Sequence, residues 1–296
     1  MTEKIAGAVV IYNPDKGVVS NIYTYLNQVQ KLFLIDNSNH ISDIIKSEFR
    51  LNNKVKYIPN LQNLGIAHAL NIALDLADKE LFNFLLTMDQ DSYCEEMFVP
   101  QLLECMTSDA STSIVSPAHF FPIGKNKSIN NQKCFDTLVV MTSGNLINVK
   151  ILKSIGGFDE KLFIDYVDHE ICLRLNKVGY KVKIQSECKI IHSLGNVREK
   201  QIFGKKIYPT NHHHIRYYYR TRNRLFVYKN YKKDFPEYVK NDKIDFLKSL
   251  IKIIFLEKNK TKKIFFIFKG FLDFKKNIFG EYKGKLITLL LLFCIV

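Results

Sequence analysis

Short apolar runs alternate with helically spaced apolar positions through the first part of the chain. The runs Ile5–Tyr12, Lys31–Asp36, Lys54–Ile58 and Leu81–Met88 have the length and composition of buried strands. Between the third and the fourth, Leu64–Ala77 carries apolar residues at the spacing of one helix face. Strands that alternate with helices are typical of a parallel sheet with crossover helices. The pattern therefore predicts an α/β fold.

Polar residues follow these strands at their carboxyl ends, where open α/β sheets bind ligands. We expect Asp36, the segment Asn60–Gly65, Asp89 and Asp91 to share one crevice. Asp89 and Asp91 are separated only by Gln90, and two carboxylates this close repel each other unless a cation or hydrogen bonds compensate. The pair thus favours a metal or a polar ligand, although acid-x-acid triplets also occur in loops, where Asp starts turns and caps helices.

Two common nucleotide-binding motifs are missing from the sequence. No GxGxxG follows the first predicted strand, and no GxxxxGK[ST] occurs anywhere. Dinucleotide binding of the usual kind and P-loop phosphate binding are therefore both disfavoured.

The second half begins with a turn at Ser143–Asn145 and a short helix at Val149–Ile155, which Gly156–Gly157 ends. A short strand at Tyr180–Gln185 and the segment Cys188–Gly195 complete this region. Between them, four polar residues stand at the start of another predicted helix: Asp165, Asp168, His169 and Glu170. Acids in a first turn are stabilised by the helix dipole, so these carboxylates have a structural interpretation as well as a functional one.

A long helix dense in Tyr and Arg is predicted from His212 onward. Its aromatic residues could simply cover the core while its charges are solvated, or its cationic face could lie near an anionic ligand. The three adjacent histidines that open it point in different directions on a helix and cannot chelate one ion together.

Composition and charge narrow the class of protein. The chain has 296 residues, of which 47% are hydrophobic, enough for one large α/β domain with an appendage or for two small domains. The formal charge of +14 suggests a polyanionic partner, which could be nucleic acid, an anionic membrane or a phosphorylated substrate. From Asn241 onward there are twelve Lys, no Arg and five acids among many Phe, Ile and Leu. This mixture favours an anionic membrane surface, and no nucleic-acid partner is expected.

The terminal run Leu286–Val296 is apolar but too short to span a bilayer, which takes about 20 residues. We expect it to lie in the membrane interface or to pack on a partner. The possibility that a longer hydrophobic segment follows it stays open. No signal peptide is expected at the start of the chain. The cysteines form no CxxC pair and have no His cluster at zinc spacing, so we expect reduced thiols in a cytosolic protein. They are Cys94, Cys105, Cys134, Cys172, Cys188 and Cys294.

Seven motifs in a fixed order carry a resemblance to a known family. They are "VVIYNP", "IDNSN", "NLGIAHALN", "DQD", "SGNLI", "GGFDEKLFIDYVDHEICLRL" with a following "GY", and "HSLG". Over residues 5–226 the chain resembles the family 2 glycosyltransferases with a GT-A fold, especially bacterial rhamnosyltransferases. The resemblance implies a Rossmann-like, mixed but mostly parallel sheet flanked by helices in residues 1–205. Within it, the nucleotide-sugar half would cover about 1–92 and the acceptor half about 93–205. Residues 206–296 would form a helical, basic, membrane-associating extension.

The resemblance also assigns residues to the donor site. Asp36 would contact the nucleotide base and Asp89 the ribose, while Asp91 would hold Mg²⁺ or Mn²⁺. His192 matches a histidine that often completes the metal or diphosphate site. The remaining residues implied to bind the nucleotide are Tyr12, Asn13, Asn63 and Gly65.

On the acceptor side, the resemblance implies that Asp168 is the catalytic base, although Val167 replaces the Glu of the family's frequent Glu-Asp pair. Asp165 is the alternative base, and Glu170 would orient the acceptor or cap its helix. The residues implied to contact the acceptor or the diphosphate are Gly144, Asn145, Glu170, Arg220 and Asn223.

The resemblance implies an inverting, metal-dependent glycosyltransferase that acts peripherally on the cytoplasmic face of the inner membrane. Its expected reaction transfers L-rhamnose from dTDP-rhamnose to a growing cell-surface glycan of the O-antigen or capsule type, linked to polyprenyl diphosphate. The same fold could instead use UDP-galactose, UDP-galactofuranose or UDP-N-acetylglucosamine. Two other classes stay open at this point: a basic nucleic-acid-binding protein and a catalytically inactive module that binds nucleotide sugars.

Overall fold

The computed structural model describes most of the chain. The described residues are 3–120, 132–192, 200–202, 205–207 and 212–284, with the backbone alone at 192, 200–202 and 205–207. The side chain of His192 and the whole of Cys294, both named above, therefore lie outside the described residues.

The described strands form a nine-stranded sheet and a separate two-stranded hairpin. The strands of the large sheet are β1 (Ile5–Ile11), β2 (Lys31–Asp36), β3 (Val55–Pro59), β4 (Phe84–Asp89), β5 (Ser92–Cys94), β6 (Thr112–Phe120), β7 (Cys134–Thr137), β8 (Asn145–Asn148) and β9 (Lys181–His192). The hairpin consists of β10 (Lys200–Ile202) and β11 (Lys205–Ile207).

Helices cover both faces of the sheet and form the C-terminal extension. They are α1 (Gly17–Leu26), α2 (Asp43–Phe49), α3 (Ile66–Lys79), α4 (Phe98–Thr107), α5 (Val149–Ser154), α6 (Val167–Lys177), α7 (His214–Tyr231), α8 (Pro236–Leu256) and α9 (Lys260–Lys275). A single 3₁₀ turn covers Glu160–Leu162.

The strand order is β3-β2-β1-β4-β8-β6-β9-β5, with β7 also paired to β9. The first four strands are mutually parallel, which confirms the crossover pattern predicted for the first part of the chain. Beyond β4 the sheet is mixed, because β8 runs antiparallel to both β4 and β6. The parallel strands therefore end at one edge of the sheet, and their polar termini face the same space.

Strand β9 replaces the two separate segments expected near residues 180–195. It runs parallel to β6, but the register jumps from Pro117 opposite Gln185 to Ala118 opposite Lys189. The residues of β9 between these two pairs form an irregularity of the β-bulge type opposite β6, and the pairing then resumes. The last residues of β9 therefore pair with β5, and β5 begins directly after the Asp-x-Asp triplet.

Side-chain alternation along β1 divides the interior into two layers. Val9 belongs to one core cluster together with Ile22 of α1, whereas Ala8 belongs to the other cluster together with Ala69 and Ala73 of α3. The alanines leave room for α3 to lie close to the sheet. The predicted α/β sandwich is therefore built from an apolar alternation that the sequence already contained.

Helix α7 ties the extension to the α/β domain. Arg222 is fully buried and donates to the carbonyl oxygens of Leu162 and Gly280, while its guanidinium lies over the rings of Tyr218 and Phe279. A buried guanidinium is tolerated only when its donors are satisfied in this way. Arg222 of α7 consequently joins the segment at Leu162 to the segment at Gly280, beyond α9.

The cysteine prediction needs correction. Cys105 of α4 and Cys134 of β7 form a disulfide, with Cα atoms 5.9 Å apart, so the expectation of six reduced thiols is wrong for this pair. Packing against β9 brings together two residues that are 29 positions apart in the sequence, and their spacing does not reveal this proximity. Cys94, Cys172 and Cys188 are buried free thiols. Among the described residues, no helix is long and apolar enough to cross a membrane.

Candidate active site

A cavity of about 870 Å³ lies at the carboxyl ends of the parallel strands. Its walls come from the ends of β1 and β4, the first turn of α6 and the faces of α7 and α8 that turn toward the sheet. The predicted residues that line it are Tyr12, Asn63, Gly65, Asp89, Asp91, Asp165, Asp168 and Arg220. The edge predicted from the strand ends is therefore where donor-side and acceptor-side residues meet.

Gln90 holds the Asp-x-Asp triplet in place. Its side-chain oxygen accepts from the backbone nitrogen of Tyr12 at 2.8 Å, and its backbone oxygen accepts from the Asn21 amide at 2.9 Å. The backbone nitrogen of Asp89 donates to Ser143 Oγ at 3.0 Å. The triplet is thus anchored through its middle residue, and both of its carboxylates belong to the cavity lining.

Gly65 allows the β3–α3 turn to approach the loop before α6. Its φ is +84°, and a Cβ atom there would lie 2.6 Å from the carbonyl oxygen of Phe163. The adjacent Ile66 nitrogen donates to that oxygen at 2.7 Å. Asn37, which lines the cavity and was not predicted, donates from its amide to the carbonyl oxygen of Gly65 at 3.1 Å. Glycine is required here because any side chain would separate the two loops.

Asp36 and Asn13 lie beside the cavity and are not part of its lining. Asp36 is only 1% exposed, and its oxygens accept from the Ser38 nitrogen at 2.9 Å and from the Tyr57 hydroxyl at 2.6 Å. Burial and this bond raise the pKa of Tyr57 to about 12. The backbone nitrogen of Asn13 donates to Ser38 Oγ at 2.7 Å. In this structure Asp36 therefore organises the turn after β2, and its expected contact with a nucleotide base stays a prediction.

The loop before α6 has an unusual backbone. Phe163, Asp165 and Tyr166 all have positive φ angles, near +63° to +66°. Such angles are costly for residues with side chains, and they persist only where surrounding contacts impose them. Here Asn223 of α7 donates its amide to the carbonyl oxygens of Leu162, Ile164 and Asp165, each at 2.8 Å. The loop is thus held from α7 in the shape that presents the first turn of α6 to the cavity.

Asp168 lies in that first turn and lines the cavity. One of its oxygens accepts from the backbone nitrogen of His169 at 2.9 Å. The His169 ring in turn shares a 2.6 Å hydrogen bond with the Tyr238 hydroxyl of α8. A carboxylate in the first turn of a helix interacts favourably with the helix dipole.

Three arginines of α7 face the cavity at a spacing of four residues. Arg216 donates to Asp165 at 2.7 Å, and Arg224 donates to Asp242 at 2.8 Å. Arg220 makes no ion pair or hydrogen bond with any residue that the structure describes. Burial lowers the pKa of Arg216, but the charges of Asp165, Asp89 and Asp168 outweigh this effect and raise it. The guanidinium of Arg220 is the one of these three that stays available for a ligand.

Four predicted acceptor-side residues do not line the cavity. Glu170 is 3% exposed and accepts from Arg174 at 2.9 Å and from the Tyr231 hydroxyl at 2.7 Å, and its burial raises its pKa. Asn223 is fully buried against the loop that it holds. Gly144 bonds through its nitrogen to Thr87, and Asn145 is buried beside it in β8. In this structure these four residues make structural contacts, and their expected ligand contacts stay predictions.

The donor atoms of the cavity suit a divalent cation. Asp89 and Asp91 supply hard carboxylate oxygens, and Mg²⁺ or Mn²⁺ commonly binds through one or two carboxylates while keeping water ligands. No group of three or more His, Cys, Asp or Glu residues forms a metal cluster within the described ranges. The backbone of His192 pairs with Ser92, next to Asp91, but its side chain lies outside the described residues. Among the described side chains, Asp91 and Asp89 would hold a metal here.

We expect Asn223→Ala to lower the free energy of unfolding by about 2–4 kcal/mol, because three backbone carbonyl oxygens lose the Asn223 amide and the Leu162 oxygen still accepts from Arg222. Chemical denaturation measures the loss. Asn230→Ala, on the exposed face of the same helix, is the matched control and should change stability by less than about 0.5 kcal/mol. Unchanged stability combined with weaker ligand binding would contradict the structural role and restore Asn223 to the site.

We expect His212 to make stability depend on pH. Burial and the positive charges of Arg216 and Arg220 lower its pKa from 6.5 to about 4. Between these two values the unfolded chain binds a proton that the folded chain does not, so the contribution is complete above pH 6.5 and is lost as the pH falls toward 4. His212→Asn should therefore flatten the decline of Tm across this window, while His40→Asn, on the surface, should not. Parallel Tm curves for all three proteins would contradict this.

Comparisons with known proteins show the family and the fold of this chain. The sequence profile of glycosyl transferase family 2 matches residues 8–162. The chain is 29% identical over 243 residues to the dTDP-rhamnosyl transferase RfbF of Shigella flexneri, which covers 77% of this chain and 80% of that protein. The crystal structure of S. aureus TarS 1-349 in complex with UDP-GlcNAc superposes with a TM-score of 0.63 at 12% identity, over 93% of this chain and 81% of that one. GalNAc-T7, solved with UDP, GalNAc and Mn²⁺, gives a TM-score of 0.57 at 14% identity, covering 68% of this chain and 44% of that chain.

Proposed function

This chain belongs to glycosyl transferase family 2 and has its GT-A fold, and we propose that it transfers L-rhamnose from dTDP-rhamnose with inversion of configuration. The observation that carries the proposal is that Asp89, Asp91, Asp168 and Arg220 all line the same cavity. A glycosyltransferase needs these same elements: carboxylates for a metal and the nucleotide, a cation for the diphosphate, and a base for the acceptor. The rhamnosyl donor is supported by the similarity to the Shigella flexneri transferase.

The donor diphosphate would lie between the Asp-x-Asp triplet and Arg220. Asp91, assisted by Asp89, would hold Mg²⁺ or Mn²⁺, and such an ion supplies positive charge against the diphosphate as it leaves. Arg220 adds a fixed guanidinium that can bind two phosphate oxygens at once. Tyr12, Asn63 and Gly65 line the same cavity and would contact the nucleoside.

Asp168 would remove the proton of the acceptor hydroxyl. As that oxygen forms a bond to the anomeric carbon, the bond from this carbon to the diphosphate oxygen breaks on the opposite face, and the proton passes to the Asp168 carboxylate. One such displacement inverts the anomeric configuration. Asp165 is less suited to the role, because both of its oxygens already accept from Arg216.

The proposed acceptor is a growing cell-surface glycan of the O-antigen or capsule type, carried on polyprenyl diphosphate at the cytoplasmic face of the inner membrane. Support comes from the charge of the extension, in which lysines far outnumber acids among apolar side chains. A lipid-linked acceptor is confined to the membrane surface, so an enzyme that elongates it gains from peripheral attachment.

A UDP-sugar is the main alternative donor, because an Asp-x-Asp site binds metal and diphosphate and not the sugar itself. A donor panel decides between them. The purified chain is incubated with Mg²⁺ or Mn²⁺ and with dTDP-rhamnose, UDP-galactose, UDP-galactofuranose or UDP-N-acetylglucosamine, and nucleotide release is followed. NMR of the product then gives the anomeric configuration.

Metal-dependent release from dTDP-rhamnose above all other donors, with an inverted product, is the expected result. Preference for a UDP-sugar would overturn the rhamnosyl donor, and a retained configuration would overturn the single displacement. Binding of donors without any turnover, with every acceptor offered, would indicate a non-catalytic module.

Arg220→Gln should raise the KM for the donor about 10- to 100-fold, since a hydrogen-bonded charge on the diphosphate is worth about 1.5–3 kcal/mol. The fold should be unaffected, because Arg220 pairs with no described residue. Isothermal titration with the intact donor and with the free nucleoside separates the roles, as only diphosphate-bearing ligands should lose affinity. Arg50→Gln on α2's exposed end is the control. Equal losses of affinity for the intact donor and for the free nucleoside would show that Arg220 does not bind the diphosphate.

A further inference from the structure

The hairpin of α8 and α9 carries exposed apolar side chains along both helices. On α8 these are Ile244, Leu247, Ile251, Ile254 and Phe255, with exposed fractions between 43% and 72%. On α9 they are Ile264, Phe268 and Phe271, with exposed fractions between 40% and 57%. We call these two sets together the hairpin face. Apolar side chains grouped this way in an otherwise soluble fold usually mark an interaction surface.

The exposed residues of α8 form one stripe, since they recur at intervals of three and four. The opposite side of the same helix packs on the body of the protein: Val239 and Ile253 are buried, and Asp242 binds Arg224. Helix α8 is therefore apolar on both its inner and its outer side. Packing within the described chain explains only the inner one.

Helix α9 has the same construction. Its inner side contains Phe266 and Gly270, which lie against α7, and a Cβ on Gly270 would be 2.5 Å from the Tyr218 carbonyl oxygen. The exposed residues Ile264, Phe268 and Phe271 follow each other by four and three positions on the side turned away. Both helices of the hairpin thus present an apolar stripe that nothing in the described residues covers.

In the hairpin, three acidic side chains point inward, whereas most of the lysines are exposed. Asp242, Glu257 and Asp273 turn inward and bind Arg224, Lys263 and Lys269, respectively. The exposed lysines have few carboxylates to neutralise them, and they flank the apolar stripes: Lys240, Lys243, Lys248, Lys252, Lys258, Lys260, Lys262, Lys275 and Lys276. The hairpin face is consequently an apolar surface with a cationic border.

We propose that the hairpin face docks onto an anionic membrane surface, with its apolar stripes inserted among the lipids and its lysines at the headgroups. Apolar residues beside lysines are what an interfacial helix needs, because burial and electrostatic attraction then act together. A second copy of this chain is a poorer occupant, since its identical lysine border would repel the first.

Docking in this way would place the active-site cavity close to the lipids. Asp245 and Ser249 of α8 line the cavity, whereas Leu247 and Ile251 of the same helix belong to the hairpin face. One helix, about 10 Å across, thus separates the two. The benefit for a lipid-linked acceptor rests on the proposed function, whereas the docking itself does not.

Sedimentation with vesicles tests the docking. Vesicles of phosphatidylcholine with about one quarter phosphatidylglycerol should bind the full chain at low salt, and pure phosphatidylcholine should bind it less. Leu247→Gln/Ile251→Gln/Phe255→Gln should lower the partition coefficient about 10- to 100-fold. Lys252→Gln/Lys258→Gln should lower it about five-fold per lysine, and this loss should shrink as salt is added.

Matched controls remove similar side chains elsewhere. Leu51→Gln/Leu81→Gln/Val178→Gln alters three exposed apolar residues outside the hairpin, and Lys46→Gln/Lys54→Gln alters two exposed lysines. Neither control should change vesicle binding more than about two-fold. A chain that ends at Gly284 tests whether the apolar residues that follow it in the sequence cause the binding, and it should still bind.

Three results would overturn the proposal: no preference for anionic vesicles, equal binding by the hairpin triple variant and the native chain, or loss of binding on ending the chain at Gly284. A native dimer that the triple variant converts to a monomer would show that a second copy occupies the face. Nucleotide release with a water-soluble acceptor should be the same in the triple variant. Should the chain bind vesicles yet transfer no sugar, the docking stands and the proposed function fails.

Discussion

Replacing Asp168 by Asn should lower kcat about 10²- to 10⁴-fold while leaving donor affinity within about two-fold, the range expected when a general base is removed. The amide keeps the shape of the carboxylate but cannot accept the proton of the acceptor hydroxyl. Because Asp168 lies in the first turn of α6 and bonds only to the adjacent backbone nitrogen among the contacts described, the substitution should leave the fold intact. Steady-state kinetics with saturating donor and acceptor, together with donor titration calorimetry, measure both quantities.

Asp245→Asn is the matched control, since Asp245 lines the same cavity from α8 and has no proposed part in proton transfer. It should retain kcat within about five-fold. Asp165→Asn tests the alternative that Asp165 is the base. It breaks the ion pair with Arg216, so we expect it to act through the loop before α6 and to lower the stability of the fold. Full activity in Asp168→Asn, or a loss confined to donor binding, would show that the base is another residue.

Replacing Asp91 by Asn should abolish most metal-dependent donor binding and reduce kcat/KM by about 10²- to 10³-fold, comparable to the loss of one preorganised electrostatic group. An amide oxygen is a weaker ligand than a carboxylate for a hard cation. Electron paramagnetic resonance of added Mn²⁺ measures the change directly and does not depend on turnover. The native chain should bind Mn²⁺ more tightly when donor is present, and the variant should lose this coupling.

Asp78→Asn, an exposed acid on α3, controls for the change in net charge and should leave Mn²⁺ binding unaltered. The metal assignment would be wrong if Asp91→Asn kept the native Mn²⁺ affinity and activity. It would also be wrong if removing Asp91 lowered affinity for the nucleoside alone, because Asp91 would then act on the nucleotide and not on the ion.

The parallel half of the fold was predictable because its signal is local. Each buried strand is a short apolar run, α3 shows helical spacing, and polar residues mark the strand ends. Parallel strands end at a common edge, so the convergence of Asn63, Asp89 and Asp91 follows from topology alone. The mixed half was harder, as β5 has only three residues and β9 continues through an irregularity that looks like a break in the sequence.

The first turn of α6 shows where assignment by motif fails. Asp168 and Glu170 have similar chemistry, but two positions on a helix point to opposite sides. Asp168 therefore faces the cavity, whereas Glu170 faces Arg174 and Tyr231 in the interior. Helical phase does not separate them, because Asp168 shares its side of α6 with Ile171 and Leu175, whereas Glu170 shares its side with Leu173, and all three apolar residues are buried.

The residues that sequence inspection missed act through distant partners. Gln90 looked like a spacer between two acids, yet it bonds to Tyr12, directly after β1, and thereby anchors the triplet. Arg216 restrains Asp165, and Asn37 holds the turn at Gly65. None of these pairs has a sequence spacing that reveals contact, and the same is true of the disulfide between Cys105 and Cys134.

The sequence by itself determined the fold class, the edge of the sheet at which polar residues gather and the acids that stand there, because strand periodicity and residue chemistry are properties of neighbours along the chain. Only the tertiary structure decided which of two similar side chains reaches the cavity, which arginine stays available and which apolar faces are left uncovered. Those outcomes depend on packing between elements far apart in sequence, such as α7 against the loop before α6. A linear pattern specifies each element's faces but not the partner that covers them.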